Sequence, residues 1–250
     1  MKAQWSVSFG PGIAIYSGDV AGPTFSDIRP AGNMELWYKL SPSFYLKAGA
    51  SIYRIFAKDI IPSRNRTFRS DHLELYSGFV YTPFPAKRLM PFASAGIGIT
   101  SVNPAFRVPT DELGGHWWWI SRRLGPDGSS IPSFGMIFPI GGGLRYVINS
   151  RMAFIVDGAL RFTNTDMLDG VGTAQVVVAN LSQTGINYFE AVRPNGINSE
   201  ILQNGNPNLK DVYGVVTFKL QINLGGSTTK ATSFKSKSGN KRGSACPTYK

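Results

Sequence analysis

The residues that carry most metal and nucleophile chemistry are scarce in this sequence. Its 250 residues include one cysteine, Cys246, and two histidines, His72 and His116. That excludes an internal disulfide and any recognisable His/Cys metal spacing. Cys246 can pair only with another molecule or stay free. No apolar run approaches the roughly 20 residues of a transmembrane helix, so entry into a membrane would require a barrel. No export signal is visible: MKAQWSVSFG runs straight into strand-like sequence, as in a cytosolic chain or a processed one. Acids are the minority charge, 15 against 26 Lys and Arg, for a net charge of +11. Six of the cations, Lys230, Lys235, Lys237, Lys241, Arg242 and Lys250, lie in a C-terminal stretch without acids, leaving +5 for the rest. The remaining cations are scattered, with no helical stripe or recognition motif, so nucleic acid is not an expected partner. GIGITS and GGGLRY lack the strand-to-helix context of a phosphate loop and read as strand glycines.

What the sequence does contain is alternation of period two. In GVVTFKLQINL, Val216, Phe218, Leu220, Ile222 and Leu224 fall on one side and Thr217, Lys219, Gln221 and Asn223 on the other, as in a strand between two different solvents. Comparable segments recur at about 4–16, 33–40, 44–56, 72–81, 91–100, 136–148, 152–162 and 213–224, and helical periodicity is hard to find. Several approach the 9 to 11 residues that cross a bilayer at a tilt. The connections alternate as well. SPS, TPFPAKRLM and NSR are short, whereas those after the first, third, fifth and seventh strands are long, the longest running from Thr163 to Val212. Short turns on one side and long loops on the other give the layout of an eight-stranded antiparallel transmembrane barrel, with both termini periplasmic. Residues 1–225 form the barrel domain, and the Ser/Thr/Gly/Lys-rich residues 226–250 form a disordered basic periplasmic tail.

The composition of the two registers assigns the faces. One holds Glu35, Lys47, Glu74, Arg145, Asp157, Arg161 and Lys219 together with Gly10, Gly12, Gly49, Gly78, Gly96, Gly98, Gly141 and Gly143. Small residues mixed with charges suit a narrow lumen. The other holds Trp5, Phe9, Met34, Leu36, Leu46, Ile52, Leu73, Phe79, Ile97, Ile140, Leu144, Phe154, Leu160 and Phe218. That is more contiguous apolar surface than a soluble protein exposes, so lipid is its natural solvent. The competing fold is a soluble ligand-binding barrel with the faces exchanged. The seven luminal charges are expected to pair as a network that plugs the lumen. Pro11 and Pro139 fall inside strands and demand either bulges or different strand boundaries.

Catalysis finds few candidates. His72 shares a face with Glu74, but no nucleophile motif accompanies the pair, and no cofactor is implied. His116 precedes Trp117, Trp118 and Trp119 in a long loop. This is either an exposed contact patch or a loop folding its aromatics over the barrel mouth.

Several segments carry a resemblance. YSGDV, RPAGNMELWYKLSPSF, RNRTF, PFASAGIGITSVNP, DVYGVVTFKL and a terminal CP followed by an aromatic together resemble a family of Bacteroidota outer-membrane barrels, of which the PorG-like component of the type IX secretion system is the best-known kind. The resemblance departs in the absent export signal and in a last strand that ends at Leu224 without an aromatic. It implies a non-enzymatic subunit that anchors a periplasmic lipoprotein ring to the outer membrane. The tail residues Lys235, Lys237, Lys241, Arg242, Cys246, Pro247 and Tyr249 would then meet the ring, and Cys246 could form an intermolecular disulfide with it. The alternative is a stand-alone barrel acting as a pore or as a loop-based binder.

Overall fold

A computed structural model describes residues 5–18, 27–59, 65–108, 116–119, 124–205 and 210–224. Eight long strands form the wall: β1 (Trp5–Ser17), β2 (Arg29–Lys39), β3 (Phe44–Lys58), β4 (Thr67–Tyr81), β5 (Leu89–Ser101), β8 (Phe134–Val147), β9 (Met152–Thr163) and β12 (Val212–Asn223). Between β5 and β8 lie the short strands β6 (Pro104–Val108) and β7 (His116–Trp119), which extend the sheet from the outer end of β4. Every neighbouring pair in the wall is antiparallel, and the pairing of β1 with β12 and of β3 with β4 closes the ring. Closure leaves no edge in the wall, the condition for placing a sheet in lipid.

The alternation expected from the sequence is present on every wall strand. Ser8, Glu35, Glu74, Thr100, Asp157, Arg161 and Lys219 are buried, whereas Met34, Ile52, Leu73, Phe79, Ile140 and Leu160 are more than half exposed on the outer face. The polar set faces the lumen and the apolar set faces outward, which rules out the soluble alternative of an apolar interior. At the short-turn end, outward Trp5 lies tilted against Tyr38, ring centroids 4.7 Å apart, and Phe44 likewise against Tyr81 at 5.0 Å. These aromatics form a girdle at the edge of the belt.

The glycines that share the polar register are there for space. Gly78 and Gly96 face each other across β4 and β5, and a Cβ on Gly78 would press on the Ala95 carbonyl and stand 2.8 Å from the Gly96 Cα. A strongly curved wall brings inward substituents together, and only glycine relieves the crowding.

Pro11 and Pro139 need neither bulges nor new boundaries. The β1–β12 pairing runs from Phe9 with Leu220 to Gly12 with Thr217 without a change of register, and Pro11 still pairs with Gly32 on β2. Likewise β5–β8 runs from Ala95 with Ile140 to Gly98 with Ile137, and Pro139 pairs with Arg161 on β9. An antiparallel residue points its N–H at one neighbour only. Each proline therefore interrupts the ladder on one side and leaves the other intact.

The strands reach further than the sequence suggested, with β2 starting at Arg29 and β4 at Thr67, and the long loops are built rather than plain. Residues 164–211 hold the hairpin of β10 (Gln175–Val177) with β11 (Ile201–Gln203) and a helix, α1 (Gln183–Val192). The helix starts at Ser182, whose side chain accepts a hydrogen bond from the Gly185 amide. It buries Gly185, Tyr188, Phe189 and Val192, one face at helical spacing. These residues pack with Phe106, Ile131, Leu168, Val171, Val176 and Leu202 into a core continuous with the luminal Tyr16, Tyr53 and Tyr213. The long loops thus cap the mouth of the barrel.

Candidate functional site

The luminal charges fall into two clusters and one outlier. In the first, Glu35 on β2 and Asp157 on β9 face Lys47 on β3 and Lys219 on β12. Lys219 Nζ lies 2.7 Å from Glu35 Oε2 and 3.0 Å from Asp157 Oδ2. Lys47 lies 3.4 Å from Glu35 Oε1 and 3.9 Å from Asp157 Oδ2. Two carboxylates and two ammonium groups cancel, so the cluster carries no net charge. Neutral donors complete it: Tyr76 donates to Glu35 Oε1 at 2.6 Å, Trp37 Nε1 to Oε2 at 2.9 Å, Ser8 to the same oxygen at 3.2 Å, and Thr217 to Asp157. Lys47 also donates to Ser94 at 3.3 Å. A buried carboxylate is tolerable only with this degree of satisfaction.

The second cluster lies nearer the capped mouth. Arg161 on β9 holds Glu74 on β4 at 3.2 Å, and Tyr213 donates to Glu74 Oε2 at 2.8 Å. Tyr53 donates to Tyr213 at 2.6 Å and hydrogen-bonds Thr100 at 2.8 Å. His72 packs in parallel on Tyr53 with ring centroids 5.0 Å apart and meets the Ser101 carbonyl through Nδ1. It serves the luminal packing and shares no hydrogen bond with Glu74. Arg145 belongs to neither cluster. It reaches Tyr45 at 3.3 Å near the short-turn end.

That end is closed by side chains of another kind. Trp37, Tyr45, Val80, Phe92 and Ile155 form an apolar plug inside the wall, with Trp37 edge-on to both Tyr45 and Phe92 at 5.8 Å. From the short turns to the mouth the lumen is thus filled by an aromatic plug, a neutral ion cluster, a tyrosine–arginine–glutamate cluster and the cap.

The cap has a polar heart that sequence reasoning missed. Arg66 pairs with Asp59 at 3.0 Å and donates to Asn204 at 3.0 Å. Asp127 accepts from Thr173 at 3.0 Å and Asn204 at 3.1 Å, which ties the β5–β8 loop to the β9–β12 loop. The Tyr16 hydroxyl meets Asp169 at 2.9 Å and also Asp211. One phenol has one hydrogen to give, so two carboxyl groups compete for it. Burial, with the nearby Asp211 adding to it, pushes Asp169 well above the usual carboxylate range. A cluster of aspartates inside loops of a basic protein was the available signal, but its partners are separated by up to 195 residues.

Among the described residues, no group of three or more His, Cys, Asp or Glu side chains is arranged to hold a metal. The tail residues Lys235, Lys237, Lys241, Arg242, Cys246, Pro247 and Tyr249 lie outside the described part of the chain, as do the side chains of His116 and Trp117 to Trp119.

No family model and no curated protein matches the sequence. Among solved structures, the chain is similar to the Neisserial surface protein A at 9% identity and a TM-score of 0.47, over 89% of this chain and 99% of that one. It is also similar to the attachment invasion locus protein Ail of Yersinia pestis, solved with a heparin analogue, at 10% identity and 0.45 over 89% and 99%. A major outer membrane protein of Thermus thermophilus gives 13% and 0.46 over 89% and 100%. This chain's own closed sheet, polar lumen and apolar belt make it a transmembrane barrel of the outer-membrane type.

Proposed function

We propose that the protein is a non-enzymatic, non-conducting outer-membrane barrel that acts as a fixed anchor. The observation that carries this reading is the lumen, in which Glu35, Lys47, Asp157 and Lys219 neutralise one another and the aromatic plug lies below them. A pore needs an open, polar, hydrated passage. With the interior filled, the working surfaces are the two ends.

The more specific role we assign is that of the barrel subunit of a type IX protein secretion system, with both termini in the periplasm and the basic tail on a periplasmic lipoprotein ring. Its support is the resemblance of sequence segments. One of them, RPAGNMELWYKLSPSF, spans β2, the following turn and the start of β3, and includes both Glu35 of the ion cluster and Trp37 of the plug. The test is a mild-detergent pull-down of tagged protein from native outer membranes without reductant, comparing wild type with Cys246→Ser. Recovery of ring subunits, with a disulfide adduct in wild type only, supports the role and puts the contact in the tail. Recovery of the barrel alone from both removes it.

A second reading, a loop-based binder, is favoured by the ordered cap with its own core and helix. It requires ligand binding that survives deletion of residues 226–250.

A further inference from the structure

The short-turn end of the barrel carries charge of one sign, and that charge can be counted in full from the sequence. The chain segments that form or adjoin this end are residues 1–7, 36–46, 79–92, 145–156 and 220–250, and they contain no Asp or Glu. They contain Lys2, Lys39, Lys87, Arg88, Arg145 and Arg151 besides the six cations of the C-terminal stretch. The next acids along the wall, Glu35 and Asp157, lie inside the lumen and are already shared between Lys47 and Lys219. Asp19, Asp111 and Glu112, which lie outside the described residues, belong to connections at the opposite end of the wall. No acidic side chain of these segments is there to neutralise the short-turn end.

Three of these cations stand on two neighbouring corners. The β4–β5 turn carries Lys87 and Arg88 and the β8–β9 turn carries Arg151. The corners are joined where the Val147 amide donates to the Arg88 carbonyl at 2.9 Å. All three side chains are exposed, and none forms an ion pair among the described residues. The Arg88 guanidinium lies over the Tyr146 ring at 4.9 Å, and its Nε donates to the Val147 carbonyl at 3.2 Å. Tyr146 belongs to the outward register, paired with Leu89 and two residues from Leu144 of the apolar belt. Arg88 is therefore laid against the outer wall at the edge of the belt, and its Nη donors stay free for another acceptor. Lys87 lies over the ring of Phe84 at 4.7 Å, and Phe84 is itself exposed in the turn.

From this juxtaposition we infer that the corner of the β4–β5 and β8–β9 turns binds the phosphate of an anionic phospholipid in the leaflet on the short-turn side, with Arg88 as the forked ligand and Lys87 and Arg151 as flanking charge. A guanidinium matches two phosphate oxygens at once. The edge of the aromatic girdle is the depth at which headgroups lie, so Arg88 over Tyr146 meets a phosphate without leaving the wall. An acidic protein docked on the end of the barrel would be served by cations pointing away from the belt, whereas Tyr146 and Val147 hold this guanidinium against it. A second copy would bring the same uncompensated cations against its own, and like charges repel. The inference rests on the chain being a barrel in lipid and is independent of the secretion role.

The test is native mass spectrometry of the purified full chain in a neutral detergent, titrated with dioleoyl phosphatidylglycerol or, as control, zwitterionic dioleoyl phosphatidylcholine. The expected result is retention of phosphatidylglycerol in preference to the control. Lys87→Gln with Arg88→Gln should weaken that retention about 25-fold, from about fivefold for each cation near an anionic lipid surface. Lys58→Gln with Lys210→Gln removes the same charge from exposed positions at the other end and should leave retention unchanged. Folding of each variant is checked by heat-modified migration on gels. Equal retention of the two lipids, undiminished retention in the Lys87 and Arg88 variant, or an equal loss in both variants would each overturn the inference. Poly-L-glutamate held in place of the lipid, and released by the Lys87 and Arg88 changes, would assign the corner to an acidic protein and overturn it too. Because the assay reads one molecule in detergent, a failed ring pull-down leaves its result unaffected.

Discussion

Lys219 is the side chain on which the luminal plug turns. It is 1% exposed and touches both acids of the first cluster, Glu35 at 2.7 Å and Asp157 at 3.0 Å. Replacing it by methionine keeps much of the volume but leaves two buried carboxylates facing one cation, Lys47, whose own contacts are longer at 3.4 and 3.9 Å. Removing one partner of a buried ion pair costs about 3–5 kcal/mol, because the charge left behind is uncompensated. With a urea slope of about 2 kcal/mol per molar, the unfolding midpoint of Lys219→Met should fall by roughly 1.5–2.5 M. The assay is urea unfolding in lipid vesicles, followed by Trp fluorescence and by heat-modified migration on gels. The decisive comparison adds Asp157→Asn to Lys219→Met. The pair leaves Glu35 with Lys47, restores neutrality and should recover about half of the loss. A loss under 1 kcal/mol in the single variant, or a double variant no better than the single, would refute the view that charge balance holds the lumen together.

Three further outcomes follow from the same geometry. Gly143→Ala would place its Cβ 2.7 Å from the Asp157 Cα and 2.9 Å from its Cβ, so it should destabilise by about 1–3 kcal/mol, whereas Gly214→Ala, whose nearest neighbour is the Leu160 side chain at 3.6 Å, should be close to neutral in the same assay. Asp169 holds its proton more tightly in the folded cap than in an unfolded loop, so the folded state carries the extra proton and cap stability falls as pH rises from the ordinary carboxylate range toward the raised folded value. Protease cleavage within residues 164–211 should therefore increase with pH in wild type and much less in Asp169→Asn, with parallel pH profiles refuting the assignment. Arg161→Leu strands Glu74, which is 0% exposed, and should cost about 3–5 kcal/mol, while Arg145→Leu, outside both clusters, should cost under about 1 kcal/mol.

The parts of this fold that were legible in the sequence are those set by a single strand. Whether Phe218 faces lipid and Lys219 the lumen depends only on period two and on which solvent each face meets, and the same reasoning placed Glu35, Glu74, Asp157 and Arg161 inside. What one strand cannot encode is which inward charge meets which across the barrel. Glu35 and Lys219 are 184 residues apart, and their contact is fixed by ring closure and strand stagger. Arg145 shares the luminal register yet stands too near the short turns to join the others. The cap was opaque for a different reason. Helix α1 is ten residues long, its apolar face of Tyr188, Phe189 and Val192 is brief, and its stability comes from packing on loops that carry no periodicity of their own. The inward Trp37, Tyr53 and Tyr213 were equally hard to read, since aromatics also populate the outer girdle.

The central claim, that the barrel is a filled anchor rather than a passage, is tested most directly in a planar lipid bilayer. Purified full-length protein, shown to be folded by its heat-modified migration, is added to the bilayer and the current is recorded at 1 M KCl under applied voltage. The account predicts a flat record for wild type at protein levels where a known porin gives steps. Reproducible unitary conductance steps from the wild-type barrel would contradict it and return the function to the lumen.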